Sequence, residues 1–359
     1  MINSTIIILT ASFFINQLNA EINKLVHRSE YEKVGDVIYD ISDPREGSFN
    51  YRILSGNKNG YYKVDTESGI IKIATKIKDC FGTVHTDRLK IDGGGTVYNV
   101  KIVDGFDYFV NNLPETYNVL SDYGEEFIDL HSEWSVCNTL WGKGEAVPNV
   151  DFRIATIHKN RMPDTCILIW DVPCPAEDYG GASVWCYNNV MWGNRGGVRE
   201  DLPNFPFQIK NIKNLILDFS FDQIFGNNQF KIAMNLYTFD ESNFAGYGKS
   251  DGDFFFVFDQ INQWIPKYPY SLPDIQIMGK TFALRYDDYK DGKIRERRRV
   301  IIKDGEKLMK GKLDIKSLFD IFINQNYMNP SQYIQNIQLG IEVTSGFGAV
   351  RFNKFNIKM

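Results

Sequence analysis

Apolar and polar residues alternate over several short stretches in the first part of the chain, as they do in half-buried β-strands. These stretches cover residues 37–41, 49–54, 61–64, 70–73 and 97–102. Turn-forming residues separate them, for example at residues 57–60 and in Asp92-Gly93-Gly94-Gly95. Strands at this spacing predict a small β-sandwich.

A different pattern appears once near the C-terminus, where apolar residues recur at helical spacing. Ile315, Leu318, Phe319 and Phe322 fall at i, i+3, i+4 and i+7, and Asp314 is placed to cap the first turn. The rest of the chain from about residue 131 is typical of many strands. The sequence therefore predicts an all-β protein with a second, two-sheet sandwich and one packed helix.

Two acidic residues interrupt apolar strand patterns in this second block. Glu342 ends the otherwise uncharged stretch over residues 333–341, and Asp253 opens the apolar run at residues 254–258. Five of the six tryptophans lie within residues 134–192. Two acids on strands and a region rich in indole rings suggest sugar chemistry.

The composition limits the class of protein. The chain has 359 residues, of which 43% are hydrophobic and 14% aromatic, which is enough for a large and a small core. Lys and Arg total 40 against 45 Asp and Glu, a formal net charge of −5. This balance offers no general attraction for nucleic acid or for an anionic membrane.

The N-terminus contains an apolar run over residues 6–15, and Ala20 precedes Glu21. We interpret residues 1–20 as a signal peptide and predict a secreted protein, with a buried first strand as the alternative. No later segment approaches the roughly 20 apolar residues of a membrane span.

Five cysteines are compatible with an oxidising compartment. Four lie within residues 137–186, namely Cys137, Cys166, Cys174 and Cys186, and the fifth is Cys80. They predict one or two disulfides, with the pairing open. A zinc site is disfavoured, because there is no C-x-x-C spacing and the four histidines are scattered. We expect no metal or cofactor in the second block.

The first block resembles one cadherin-type repeat over about residues 34–108. The resemblance rests on residues 42–47, 51–57 and 62–71, which occur in the family's order. Cadherin repeats usually bind calcium between tandem copies through clustered acids. Asp43 is present here, but Arg45 occupies the place of the second acid. A calcium-free spacer or adhesion module is therefore favoured, with calcium binding as the alternative, and residues 109–130 are predicted to be a linker.

The second block, residues 131–359, resembles glycoside hydrolase family 12. The matching segments, in the family's order, are Asn138-Thr139-Leu140-Trp141-Gly142, residues 185–193, Phe205-Pro206-Phe207-Gln208-Ile209, residues 231–237, residues 252–258, the helix at 314–324 and Gln338-Leu339-Gly340-Ile341-Glu342. The resemblance implies a concanavalin-like β-jelly-roll with endoglucanase or xyloglucanase activity and no cofactor.

The resemblance also implies residue roles in a retaining double displacement. Asp253 stands in the place of the nucleophile, and Glu342, in a Gly-Ile-Glu context, matches the acid/base. Such a pair needs carboxyl groups about 5–5.5 Å apart. Asn235 replaces the family's assisting Asp, and Val257 replaces the Trp that closes the nucleophile motif. The shorter Asp253 and the uncharged Asn235 would weaken or abolish turnover.

Substrate binding is predicted for Trp141 and Trp192, with Asn138 and Trp185 beside them. Any single indole could equally fill the core. The basic run at residues 295–299 is interpreted as a solvated hairpin edge rather than an anion site.

The sequence thus predicts a secreted, retaining endo-β-1,4-glucanase that acts on cellulose, xyloglucan or mixed-linkage β-glucan. The first alternative is a catalytically impaired glycan-binding or adhesion protein that uses the same cleft. A purely structural coat or matrix protein is the third.

Overall fold

The computed structural model describes residues 21–28, 35–42, 50–58, 60–75, 86–114, 117–120, 126–130, 133–148, 151–159, 163–173, 176–194, 202–227, 230–242, 250–261, 269–287, 296–303 and 305–359. Within these ranges the chain forms 24 β-strands and two α-helices. The described residues before Asp104 form one compact unit, and those from Asp104 onward form a second. The predicted signal peptide lies outside the described residues.

The N-terminal unit consists of short strands in two sheets. The strands are β1 (Glu21–Arg28), β2 (Val37–Asp40), β3 (Tyr51–Ser55), β4 (Tyr62–Val64), β5 (Ile70–Ile73), β6 (Thr86–Gly93) and β7 (Thr96–Asp104). The sheet orders are β1-β7-β6-β3 and β2-β5-β4. Ile71, Ile73 and Ile91 are among the buried residues that the two sheets contribute to one core. The unit is therefore a small sandwich, as the sequence predicts.

The hairpin between β6 and β7 ends where Gly93 lies opposite Thr96. Gly94 and Gly95 connect the strands with φ values of 69° and 114°, which glycine adopts without a Cβ clash. The predicted turn is therefore present, but β1 and β6 were not among the predicted strands. Asp43 and Arg45 lie outside the described residues, so the cadherin resemblance stays a prediction.

The C-terminal unit contains the remaining elements. They are α1 (Gly105–Asn111), β8 (Tyr117–Leu120), β9 (Glu126–Asp129), β10 (Trp134–Asn138), β11 (Arg153–Lys159), β12 (Ile167–Val172), β13 (Cys186–Gly193), β14 (Phe207–Gln208), β15 (Ile216–Asn227), β16 (Phe230–Phe239), β17 (Gly252–Ile261), β18 (Tyr270–Ile277), β19 (Lys280–Asp287), β20 (Glu296–Ile302), β21 (Lys310–Asp314), α2 (Ile315–Asn324), β22 (Tyr333–Ile334), β23 (Asn336–Val343) and β24 (Gly346–Lys358).

These strands form a large and a small sheet. The large sheet has the order β18-β19-β20-β17-β16-β23-β13-β10-β9, and the short strands β14 and β22 attach beside β16. The small sheet has the order β21-β15-β24-β12-β11-β8. In the large sheet β17 and β20 pair in parallel. The predicted all-β class is therefore confirmed.

Alternating side chains build the core between these sheets. Ile232, Met234 and Leu236 of β16 point inward from the large sheet, and Leu168 and Trp170 of β12 point inward from the small one. All are almost fully buried. Because strand side chains alternate in direction, the residues between them on β16 must point to the outer face of the large sheet.

Helix α2 is the helix that the sequence predicts. The side chain of Asp314 accepts a hydrogen bond from the backbone N–H of Ser317 at 3.0 Å, and the predicted apolar stripe is buried. A second helix, α1, was not predicted. Its Phe106 is buried with Ile157 and Ile167, and Asp107 forms an ion pair with Arg153 of β11 at 3.0 Å.

Two sequence-based expectations differ from this structure. Residues 109–130, expected to be a linker, contain the end of α1 and strands β8 and β9, which pair with β11 and β10. Cys137, Cys166 and Cys186 are buried and do not form the predicted disulfides. Cys80 and Cys174 lie outside the described residues. Neither helix in the described part of the chain is long and apolar enough to cross a membrane.

Candidate functional site

The outer face of the large sheet contains every predicted catalytic residue, and its strand register arranges the side chains in rows. We label these rows A to D. Row A contains Asp287, Arg297, Asp253 and Tyr237; row B contains Arg285, Arg299, Phe255, Asn235, Gln338, Met191 and Ser135; row C contains Ala283, Ile301, Val257, Ala233, Gly340, Asn189 and Cys137; row D contains Gln260, Lys231, Glu342 and Tyr187. Consecutive rows are about 6.5 Å apart along the strands.

Asp253 lies in row A near the start of β17 and is neutralised by an arginine. The guanidinium of Arg299 on β20 donates to both carboxylate oxygens, through Nη1 to Oδ1 and through Nη2 to Oδ2, the latter at 2.9 Å. Asp253 is only 5% exposed. A buried carboxylate in a two-point ion pair is held firmly in one orientation.

Glu342 lies in row D on β23 and forms an ion pair with a lysine. Lys231 of β16 is directly opposite it, and Lys231 Nζ is 2.5 Å from Glu342 Oε2. Both side chains are mostly buried. Each predicted catalytic acid is therefore paired with a different basic residue.

The register does not bring the two acids together. Asp253 is opposite Tyr237 on β16, and Glu342 is opposite Lys231 on the same strand. Those two positions are six residues apart, which is about 20 Å along a strand. A retaining pair requires carboxyl groups at about 5–5.5 Å. The two acids thus share a face of the sheet, but not the spacing that the retaining mechanism needs.

Asn235 lies in row B, one row from Asp253. Its Oδ1 is buried and has no hydrogen-bond partner among the described residues. Burial and, to a smaller extent, the charge of Asp253 raise the pKa of the neighbouring Tyr237 to about 12, although a hydrogen bond with the Asn235 side chain opposes the shift. Asn235 thus interacts with a neutral phenol beside the predicted nucleophile.

Three of the four predicted substrate-binding residues point into the sandwich instead. Trp185 is fully buried, with its ring 4.8 Å from that of Phe152. Trp192 packs against Phe205 at 4.6 Å between ring centroids, and its Nε1 donates to Glu133. Both indoles belong to the core between the sheets. Trp192 shares the inward parity of Val190 on β13, whereas Trp185 precedes that strand and its direction does not follow from the strand's alternation.

Asn138 is also on the inner face. Asn138 Oδ1 accepts a hydrogen bond from Asn188 Nδ2. The Nδ2 group of Asn188 also donates to Thr156 Oγ1 of the small sheet at 3.3 Å. This buried polar contact connects the two sheets. Trp141 is the exception among the four, because it lies in the turn after β10 with 55% of its surface exposed.

Sequence reasoning missed several outer-face residues. Tyr187 donates from its hydroxyl to the carbonyl oxygens of Ala233 at 2.9 Å and of Gln338 at 3.2 Å, and burial raises its pKa well above the usual value. Arg299 and Lys231 both lie near the ring of Phe255, at 5.4 and 5.8 Å from its centroid. The signal available in the sequence for Tyr187, Lys231 and Arg299 was a second polar residue two positions away, as expected for one face of a strand.

The basic run also lies in a different place from the one expected. Strand β20, which contains Arg297 and Arg299, is flanked by β19 and β17 and is therefore not an edge strand. Within the part of the chain that the structure describes, no group of three or more His, Cys, Asp or Glu residues is suited to hold a metal ion.

Comparison with solved structures shows that the C-terminal unit is similar in fold to the β-jelly-rolls of glycoside hydrolase family 12 enzymes. A family 12 xyloglucanase from Bacillus licheniformis is similar at 14% identity and a TM-score of 0.54, over 67% of this chain and 99% of that one. Endoglucanase 3 of family 12 from Trichoderma harzianum is similar at 17% identity and a TM-score of 0.52, over 69% and 99%.

The predicted jelly-roll is thus confirmed, and at these identities the likeness concerns the fold alone. A search against protein-family models gave no match. A search of curated proteins gave none either.

Proposed function

We propose that the protein recognises β-glycan chains on the outer face of the large sheet and does not cleave them with Asp253 and Glu342. The observation that supports binding is a band of partly exposed polar and aromatic side chains on this face, which includes Tyr237, Phe255 and Gln260. Aromatic rings and hydrogen-bonding groups in one shallow surface suit a sugar chain, which has apolar ring faces and many hydroxyl groups.

Unsatisfied polar atoms beside this band support the proposal. Asn235 Oδ1, Asn189 Oδ1 and Ser135 Oγ are buried on this face without a hydrogen-bond partner among the described residues. Each such group costs about 1–3 kcal/mol. Retaining three of them in rows B and C is unfavourable for stability alone. Sugar hydroxyl groups would supply donors to the two amide oxygens once side-chain movement opens these buried positions to the ligand.

The fold neighbours suggest which glycan to test. They are cellulases and xyloglucanases, and a catalytic domain from Humicola grisea was solved with a soaked thio-cellotetraose. We therefore place cello-oligosaccharides, xyloglucan and mixed-linkage β-glucan first among candidate ligands.

Hydrolysis is the second candidate, and the same fold neighbours favour it. The spacing of the two acids is against it, because carboxyl groups three rows apart cannot act on one glycosidic bond. Their ion pairs with Arg299 and Lys231 are a second obstacle, since a nucleophile held by a guanidinium is a poorer nucleophile.

The test is to measure binding and cleavage on the full chain. We expect calorimetric binding of at least one of cellohexaose, xyloglucan oligosaccharide and mixed-linkage glucan, with the oligosaccharide recovered intact. Glu342→Gln and Asp253→Asn are the test variants, and Asp218→Asn on the small sheet is the matched control. New reducing ends that vanish in both test variants but persist in the control would establish hydrolysis instead. If the folded chain neither binds nor cleaves any of these glycans, both functions are rejected.

For the N-terminal unit we propose a secreted, calcium-free, cadherin-like spacer or adhesion module. Its two-sheet architecture supports a module of this kind, and the replacement of an acid by Arg45 supports the absence of calcium. Calorimetry with and without calcium tests this assignment.

A further inference from the structure

We propose that the ligand is an acidic β-glycan, whose uronate carboxylates are bound by the arginines at one end of rows A and B. This inference rests on the proposed glycan-binding function and specifies its substrate class. The arginines are Arg285 on β19 and Arg297 and Arg299 on β20. Neutral glucans would then be the weaker ligands.

The register concentrates positive charge at this place. Arg285 and Arg299 are directly opposite each other on adjacent strands, and Arg297 is two residues from Arg299 on the same face. Like charges directly opposite in a sheet are destabilising. Asp253 offsets part of this cost at Arg299, so the charge left for an anionic ligand to neutralise is mainly that of Arg285.

The local acids do not neutralise all three arginines. Asp253 binds Arg299 through both oxygens, and Asp287 lies opposite Arg297. Arg285 forms no ion pair with a residue that the structure describes, and its Nη1 donates to the carbonyl of Leu284 at 2.8 Å. Its other N–H groups are available to a carboxylate, for which the planar guanidinium is well shaped.

This end of the outer face is also the accessible one. Arg285 and Arg297 are partly exposed, and Arg299 beside them is mostly buried, with 13% of its side chain exposed, whereas Asn235 and Gln338 in row B are nearly buried. The partly exposed ring of Phe255 lies next to Arg299 in the same row. An aromatic ring beside a guanidinium offers contacts for both parts of a uronic acid residue, the sugar ring and its carboxylate.

Two ligands that differ only at C6 of their glucose units test the proposal on the full chain. Cellohexaose and its C6-oxidised counterpart share the β-1,4 backbone and differ only in their carboxylates. A C6-sulfated cellohexaose separates carboxylate recognition from a general preference for anions. We expect the oxidised ligand to bind at least tenfold more tightly than cellohexaose at low salt, and this preference to weaken as salt screens the charges.

Arg285→Gln should reduce the ratio of the two affinities about tenfold, in line with the loss of a charge-assisted contact. Arg351→Gln, on the outer face of the small sheet, should leave that ratio unchanged, and circular dichroism should show both variants folded. Equal or tighter binding of cellohexaose would overturn this inference but leave the proposed function intact. Sulfated ligand binding as tightly as the carboxylate would overturn the carboxylate assignment, and no binding of any ligand would reject the proposed function itself.

Discussion

Asp259, near the end of β17, is an acidic residue in an unfavourable place. It is 1% exposed, and its one described ion pair, at 3.1 Å, is with Lys307, whose side chain is 46% exposed. Burial raises its pKa, and Lys307 only partly opposes that shift. The register between β16 and β17 shifts beside it, between the Ile232 and Ala233 pairings. The ionised carboxylate therefore reduces stability at neutral pH.

The sign of this effect gives a prediction for pH-dependent unfolding. A carboxyl group whose pKa is raised by folding contributes stability below its unfolded pKa of about 3.9 and loses that contribution as pH rises through the folded pKa. Urea unfolding should show Asp259→Asn gaining stability relative to wild type between pH 4 and 7. Lys307→Met should lose more stability than wild type over the same pH range, because Lys307 opposes the rise in the pKa of Asp259. A difference between Asp259→Asn and wild type that is constant with pH would contradict this account.

At the scale of elements, the presence of the helix and of most strands was predictable, but the position of a residue along the sheet was not. The apolar spacing in α2 is local, so the helix follows from the sequence. The row that each residue occupies depends on pairing with distant strands, and a register shift such as that between β16 and β17 moves a whole segment. The sequence therefore identified Asp253 and Glu342 as acids within apolar strands, but the expected separation of about 5–5.5 Å was wrong because it depended on the register.

The N-cap of α2 gives a prediction at this scale. Asp314 Oδ1 accepts from the Ser317 N–H and Oδ2 from the Ser317 hydroxyl at 2.7 Å. Asp314→Ala should lower the free energy of unfolding by about 1 kcal/mol. Asp320→Ala, which removes only an i,i+4 pair with Lys316, should cost less than about 0.5 kcal/mol. Equal losses in chemical denaturation would show that the cap contributes nothing particular.

At the scale of the whole molecule, the chain contains two units with separate hydrophobic cores. The all-β class and the order of a small sandwich followed by a jelly-roll were predictable from strand spacing and motif order. The placement of the tryptophans was not, because an indole suits a core as well as a sugar site. Trp185 and Trp192 fill the core, whereas Trp141 is exposed.

Separate cores predict separate unfolding. Scanning calorimetry of the full chain should show two transitions, since units of this kind can unfold independently. The transition of the N-terminal unit should have the same midpoint in calcium and in EDTA. A calcium-dependent rise in that midpoint would contradict the calcium-free assignment, and a single transition at all scan rates would contradict independent unfolding.

The register of β17 also makes this jelly-roll a starting point for enzyme design. Gln260 lies across Lys231 from Glu342 in row D, so two strand spacings, about 9.6 Å, separate their backbones. Inverting glycosidases hold their two carboxyl groups about 6.5–9.5 Å apart. Exchanging Gln260 for glutamate would install a second acid at that spacing, and directed evolution from that variant could select for bond cleavage on a scaffold that already has the fold of cellulases.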